Sequence, residues 1–499
     1  MKLPTPMPKT IQSLFVTSEL HPLIKTGGLA DVAGSLPVAL ASLRAKKNAS
    51  ELQQRILLPA YPKVLAQCGS CQSVAEIIIP GHDQAVIIRE TILPDSEIIL
   101  WLVDAPQYFN RDGGPYADAK GEDWPDNAER FAMFSRVAVE IAMGHTGLNW
   151  QADVVHCHDW QTGLVPALLS RYSKRPATIF TIHNLAYQGV FTQDTFTDLS
   201  LPPDLWTLHG LEYYGNLAFI KGGLAYADAL TTVSPTYAEE IQTKEFGFGL
   251  DGLLTERKDS LRGIINGADY MHWDPTNDPY ITQTYDPNSL NKKSLNKTAL
   301  QKQFGLNISK KTPLLAFIGR LVWQKGVDVL QASLPTLLKS NMQCVVLGTG
   351  DAEHQAALQK LAKAYPNKLA VIIGYDESLA HQIEASADMF CMLSRYEPCG
   401  LNQIYSLRYG TVPIVRQTGG LADTVTDASQ GARGTGYTFT DCNVKDFTSA
   451  VQRALTRFAD TDKWLALAKR GMRKDFGWRH SARQYLDLYI ECIKRSKQL

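Results

Sequence analysis

The chain has 499 residues, 44% of them hydrophobic, and 50 basic residues against 50 acidic ones. That length suits two large domains with sizeable cores, while the zero formal charge argues against a chain devoted to nucleic acid or an anionic membrane, which favour a basic footprint. No apolar run approaches the ~18 residues of a membrane span, residues 1–10 lack the apolar stretch of a signal peptide, and eight scattered cysteines are no disulfide scaffold, so a cytoplasmic location is expected.

Taken in chain order, short β-branched runs alternate with helical patterns almost from end to end. The first half offers strands at 11–17, 55–58, 98–103, 153–156, 178–182 and 229–233. Several are apolar at consecutive positions, as strands buried on both faces of a parallel sheet are. After the first comes Lys25-Thr26-Gly27-Gly28-Leu29-Ala30-Asp31. Its glycines let backbone approach a ligand, and the helix it opens offers N–H groups beside a lysine, which suits a phosphate. The pattern is neither a P-loop nor a dinucleotide fingerprint. Cys68 and Cys71 form a single Cys-x-x-Cys, half of what a structural zinc needs, and read as a surface loop. A helix is predicted over 127–143. His156-Cys157-His158-Asp159-Trp160 and Thr181-Ile182-His183-Asn184 both fall at strand ends. His156 and His158 share a strand face, so they suit either a metal, with Asp159 or His183 as third ligand, or a polar pocket for a sugar.

A polar stretch rich in Asn, Asp and Pro over 266–295 has the composition of a linker. It places one domain at 1–265 and a second at 266–477. Strands then follow at 314–319, 343–347, 369–373, 388–393 and 412–415, with helices at 326–339 and 352–365. Strand–helix–strand repetition implies right-handed βαβ units, hence two doubly wound α/β domains. Arg320 and Lys325, in Gly-Arg-Leu-Val-Trp-Gln-Lys-Gly, lie at the carboxyl end of the first of these strands, where such folds bind ligands and where two cations can neutralise a diphosphate. Val346-Leu347-Gly348-Thr349-Gly350-Asp351 reads as a tight turn. Glu397-Pro398-Cys399-Gly400-Leu401 follows the strand at 388–393. Its carboxylate can hold sugar hydroxyls, its amides can hold phosphate, and Cys399 reads as a packed thiol without a base. Thr418-Gly419-Gly420-Leu421-Ala422-Asp423 repeats the first glycine loop, so the halves carry similar strand-to-helix turns. The amphipathic tail from Trp478 needs a surface to bury its apolar stripe.

These segments together resemble the bacterial glycogen synthases and plant starch synthases of glycosyltransferase family 5, over nearly the whole chain. The resemblance rests on KTGGLADV from Lys25, HDW from His158, IHNLAYQG from Ile182, EFGFGLDGLL from Glu245, GRLVWQKG from Gly319, EPCGL from Glu397 and RYGTVPIVRQTGGLADTV from Arg408. It implies a GT-B fold, two Rossmann-like domains facing across a cleft, with the helix at 478–499 completing the first. The reaction it implies is transfer of glucose from ADP-glucose to the non-reducing end of an α-1,4-glucan, with retention of configuration and neither cofactor nor metal. By the same resemblance, Lys25, Gly27 and Gly28 approach the diphosphate, and Arg320 and Lys325 neutralise it. Glu397 with the amides of Cys399, Gly400 and Leu401 holds sugar and phosphate. His183 sits beside C1 and C6 of the glucose, Asp159 and Asn266 line the sugar and acceptor region, and Tyr375 stacks near the adenine.

Gln161, Asn402 and Trp124 depart from residues common in the family and bear on donor affinity and acceptor fit. Many GT-B relatives carry a second Glu eight positions after the first, and here that position is Tyr405, so a two-carboxylate mechanism is not expected. The alternatives are a GT-B transferase with a small acceptor and a catalytically silent glucan-binding protein. The latter is disfavoured by the presence of Lys25, Arg320, Lys325 and Glu397. A nucleotide-cofactor oxidoreductase is disfavoured by Glu353, which stands where the third fingerprint glycine would be.

Overall fold

The computed structural model of the chain describes residues 10–43, 51–82 and 84–497. Of the leading residues 1–10, whose reading bore on targeting, all but Thr10 lie outside that range. The chain divides into two compact units. The first comprises Met1–Val233, Ala238–Gly267 and Trp478–Leu499, and the second Ser234–Tyr237 and Ala268–Gly477.

The strands of the first unit are β1 (Thr10–Val16), β2 (Glu51–Pro59), β3 (Gln72–Ile78), β4 (Ala85–Ile92), β5 (Ile99–Asp104), β6 (Val154–His158), β7 (Ala177–Ile182), β8 (Val190–Phe191), β9 (Glu212–Tyr213), β10 (Asn216–Ala218), β11 (Ala229–Thr232) and β12 (Leu261–Gly263). Nine of them form one sheet in the order β12-β11-β7-β6-β1-β2-β5-β4-β3. Pairing is parallel from β12 to β5 and antiparallel along β5-β4-β3. β6 and β7 are buried at every position, as their continuous apolar and β-branched runs require of a sheet covered on both faces. The sequence reading lacks β3 and β4. In β4 only Val86 and Ile88 are buried, and Arg89, Glu90 and Thr91 interrupt the apolar run, so an edge hairpin looks like loop. The short β8, β9 and β10 make a separate sheet in the order β8-β10-β9.

The helix Trp478–Ser496 belongs to this first unit. It buries Tyr485, Leu488, Tyr489 and Ile493, and Ser481 donates to the Ile265 carbonyl at 2.6 Å.

The second unit has β13 (Leu314–Ile318), β14 (Gln343–Gly348), β15 (Leu369–Ile373), β16 (Met389–Met392), β17 (Val412–Arg416) and β18 (Tyr437–Phe439). They form a parallel sheet in the order β15-β14-β13-β16-β17-β18. Period-two alternation divides each strand between two cores. Leu315, Phe317, Cys344, Val346, Met389 and Cys391 enter one. Leu314, Ala316, Val345, Leu347, Phe390 and Met392 enter the other. The stretch with linker composition is instead part of this unit from Ala268 onward. Asp278 and Tyr285 are buried in it, and Trp273 is stacked between His381 at 3.7 Å and Tyr405 at 4.0 Å. Its polar residues are consumed by local turns, such as the bonds from Thr276 to Asp274. Among the described residues no helix is long and apolar enough to cross a membrane.

Candidate functional site

Open parallel α/β sheets bind ligands beyond the carboxyl ends of their strands, where the strand order reverses direction. In the first unit that reversal lies between β1 and β6, and in the second between β13 and β16. The loops after these four strands carry most of the residues singled out in the sequence.

After β1, the chain runs through Glu19 to the glycine loop and enters the helix Gly28–Ser42. Glu19 is buried, and one of its oxygens accepts from the amides of Thr26 (2.5 Å) and Gly27 (2.9 Å). The Tyr116 hydroxyl lies 2.8 Å from the other oxygen and donates to it. Burial pushes the Glu19 carboxyl above its ordinary range. This clamp fixes the shape of the loop from behind. Sequence reasoning missed both residues, because Glu19 carries no motif and Tyr116 sits in an aperiodic loop. Lys25 pairs with Asp31 at 2.7 Å, on the surface. A Cβ built on Gly27 or Gly28 meets nothing within 4 Å, so the space over this loop is open to a ligand.

After β6, Asp159 adopts a left-handed φ of 55°. Its carboxylate accepts from the amides of His183 (2.7 Å) and Asn184 (3.4 Å), which follow β7. Burial pushes Asp159 up to about 7. His158 and His183 share a hydrogen bond of 3.0 Å between Nδ1 and Nε2. Burial pushes His183 down to about 3 and holds His158 well below the ordinary histidine value, so both imidazoles are neutral at pH 7. The buried polar atoms of this unit that lack a hydrogen-bonding partner include His158 Nε2, Gln161 Oε1 and Asn266 Oδ1. Such orphans are uncommon and mark places where a ligand or water is needed. His156 is spoken for at both nitrogens, by the Tyr489 hydroxyl (2.7 Å) and the Thr181 hydroxyl (2.6 Å). That leaves it no lone pair for a metal, and no group of three or more His, Cys, Asp or Glu among the described residues is placed to hold one. Cys68 and Cys71 are both free thiols, and burial together with Cys71 pushes Cys68 up to about 11.

In the second unit, Lys325 closes the short turn after β13 and its Nζ lies 2.5 Å from Glu397 Oε2. The Ser394 hydroxyl donates to the same oxygen at 2.7 Å. Arg320 donates to the Gln324 side chain at 3.1 Å, and Gln324 in turn donates to the Tyr396 carbonyl at 3.3 Å. Arg320, Lys325 and Glu397 are thus gathered at the switch point by two loops. The repeated glycine loop serves packing here. A Cβ on Gly419 would lie 2.0 Å from the Glu397 carbonyl oxygen, and one on Gly420 would lie 2.2 Å from that of Cys399. The Gly420 amide donates to the Glu397 carbonyl at 3.1 Å. Cys399 is buried. Gly400 has a φ of 70°, and Leu401 precedes the helix Asn402–Arg408. Asn402 donates to the Ile318 carbonyl at 2.9 Å, tying this helix to the end of β13. Tyr375 stands apart from the others: it follows β15, two strands from β13, is 69% exposed and donates to Glu377 at 3.2 Å. Trp124 donates to the Gly114 carbonyl at 3.1 Å and carries Arg111 over its ring, in the first unit.

Comparison with known proteins adds to this geometry. Residues 13–256 match the family described as "Starch synthase catalytic domain", and residues 299–466 the one described as "Glycosyl transferases group 1". The chain is 50% identical to glycogen synthase 1 of Methylococcus capsulatus, over 96% of each protein. It is 50% identical to glycogen synthase 2 of Nitrosococcus oceani, over 97% of each. Among solved structures, the catalytic domain of starch synthase IV from Arabidopsis thaliana, bound to ADP and acarbose, superposes with a TM-score of 0.86 at 30% identity, covering 97% of this chain and 99% of that one. Sucrose-phosphate synthase from Thermosynechococcus elongatus shares the fold, with a TM-score of 0.59 at 16% identity over 96% of this chain and 98% of that one.

Proposed function

We propose, for a chain that belongs to the glycogen synthase family and is a glycosyltransferase of the GT-B fold, that it transfers glucose from ADP-glucose to the non-reducing end of an α-1,4-glucan with retention of configuration. The observation that carries this reading is the Lys325–Glu397 pair at the strand-order reversal of the second unit, with Arg320 on the neighbouring turn.

A retaining transfer separates charge. The C1–O bond to the diphosphate lengthens, the sugar gains oxocarbenium character and the leaving group gains negative charge. Fixed cations aimed at that group lower the barrier most, and losing one such donor typically raises it by about 3–4 kcal/mol. Lys325 and Arg320 are assigned that role, and Lys25 and the backbone of Gly27 and Gly28 are also assigned to the diphosphate. Glu397 holds Lys325 in place and turns its carboxylate to the sugar hydroxyls, while the amides of Cys399, Gly400 and Leu401 receive sugar and phosphate oxygens. His183, neutral because it is buried, offers a hydrogen bond beside the sugar without adding a positive charge next to the developing cation. Asp159 and Asn266 are assigned to the sugar and acceptor region. The orphaned Asn266 Oδ1 is an acceptor that a glucan hydroxyl would satisfy. Tyr375, exposed at the end of β15, is assigned to the adenine. This chemistry calls for no cofactor beyond the donor.

Incorporation of labelled glucose into glycogen, with ADP-glucose and UDP-glucose side by side, tests the proposal. Strong incorporation from ADP-glucose is expected. In Lys325→Ala or Glu397→Ala, kcat/KM is expected to drop by about 10²–10³ with the fold intact by circular dichroism. Transfer from UDP-glucose alone would overturn the donor, and near-normal turnover of either variant would overturn the role of that residue.

A further inference from the structure

Two aromatic side chains of the first unit occupy backbone positions that sequences ordinarily give to Asn, Asp or Gly. β9 and β10 pair Tyr213 with Asn216, so Tyr214 and Gly215 are the whole of a two-residue hairpin turn, with φ of 49° and 78°. A turn with both residues left-handed favours Asn-Gly or Asp-Gly, because a bulky side chain crowds its own backbone there. Phe248 and Gly249 repeat the arrangement, with φ of 48° and 79°. The two turns meet. The Tyr213 hydroxyl donates to the Phe248 carbonyl at 2.6 Å, and Gln188 donates to the same oxygen at 3.0 Å. A Cβ on Gly249 would lie 3.3 Å from the Tyr214 ring. Tyr213 and Tyr214 stand edge to face with centroids 4.8 Å apart. Side chains also brace the backbone of the turn: Glu212 accepts from the Gly215 amide at 2.7 Å, and Asn216 donates to the Tyr214 carbonyl at 3.3 Å. On this rigid knuckle Tyr214 is 77% exposed and Phe248 36%.

Folding alone would place Asn at both tips, so the rings are there to meet something. We propose that the Tyr214–Phe248 knuckle is a binding platform for an α-glucan chain, holding sugar units away from the reacting end. The proposal rests on the transfer to an α-1,4-glucan argued above. A pyranose has a flat C–H face and a rim of hydroxyls. An exposed ring with amide and carboxylate groups around it, here those of Gln188, Glu212 and Asn216, matches both features. Rigid aromatic side chains lose little entropy on contact. The acceptor is a polymer with many ends, so a second point of attachment raises the effective concentration of acceptor at the reacting groups without taking part in the chemistry.

The test is electrophoresis of the full chain through gels with and without glycogen, together with kinetics in which glycogen is varied at saturating donor. The variants are Tyr214→Asn and Phe248→Asn, which suit left-handed positions. Glycogen should retard the wild type. Each variant should bind about fivefold more weakly and show a KM for glycogen raised by a similar factor, with kcat within twofold and a melting temperature no lower than that of the wild type. Unchanged retardation and KM in both variants would overturn the platform, as would a fall in kcat without a change in KM. A change of oligomeric state by light scattering in place of a change in glycogen retardation would also overturn it, by assigning the rings to a second copy of the chain. If the wild type transfers no glucose yet is retarded by glycogen in a Tyr214-dependent way, the platform stands and the proposed reaction fails.

Discussion

Asp159 combines a left-handed backbone, a buried carboxylate and two amide donors at the end of β6. Burial outweighs the amides and pushes its carboxyl up to about 7 from an ordinary 3.8. An acid whose pKa rises on folding favours the native state fully below its unfolded value, and that contribution is lost as pH climbs through the folded value. The window here is pH 4–7. Asp159→Asn keeps an oxygen for the His183 amide and removes the buried charge. The variant is expected to gain stability over the wild type as pH rises, reaching on the order of 2–4 kcal/mol at pH 8, while losing transferase activity. Urea titrations at pH 5 and pH 8 measure this, and an equal difference at both would contradict it. At this scale the sequence showed which residues stand at strand ends, since Arg320, Lys325, Asp159, His183 and Glu397 all follow buried apolar runs. It did not show Glu19 or Tyr116, because a buried clamp on a loop needs two segments that the chain brings together only on folding.

The two Thr-Gly-Gly-Leu-Ala-Asp segments make the case for elements. Each follows a strand and opens a helix, as the local pattern indicates. Their glycines nevertheless answer to different neighbours. Gly419 has a φ of 43° and carries the Glu397 carbonyl where a Cβ would be, whereas Gly27 has an extended φ of −151° and open space. Gly419→Ala is expected to cost about 2–4 kcal/mol in chemical denaturation, through backbone strain and displacement of the segment that carries Glu397. Gly27→Ala should leave stability within about 0.5 kcal/mol and yet reduce donor affinity, because the added methyl occupies the space assigned to the diphosphate. Equal stability of the two variants would refute the distinction. The missed β3–β4 edge belongs to the same scale. Only three of its fifteen residues are buried, against every residue of β6 and β7, so polar residues dominate the local pattern.

For the whole molecule, the order of segments along the chain matters. The helix Trp478–Ser496 belongs to the first unit, although the second unit precedes it in the chain. Its buried Trp478, Tyr485, Leu488, Tyr489 and Ile493 together bury apolar surface worth roughly 10 kcal/mol, comparable to the whole stability of a typical domain. It also supplies the hydroxyl that satisfies His156. A fragment of residues 1–267 is therefore expected to be unfolded or aggregated, and the same fragment joined to residues 478–499 by a flexible linker should give a cooperative melt. A stable native-like fragment without the helix would refute the argument.

The sequence by itself determined the α/β class, the central strands of both sheets and the family, because buried parallel strands and glycine-bearing turns leave local signatures within a few residues. It also marked the tail as an amphipathic helix in need of a surface. Only the tertiary structure decided which surface that is, that the polar stretch after Asn266 walls the second unit, that one glycine loop lies open while its twin is packed, and that Lys325 and Glu397 meet. Each of these depends on groups far apart in the chain becoming neighbours, and pairing energies of that kind are settled by burial and close packing, which no local pattern of residues records.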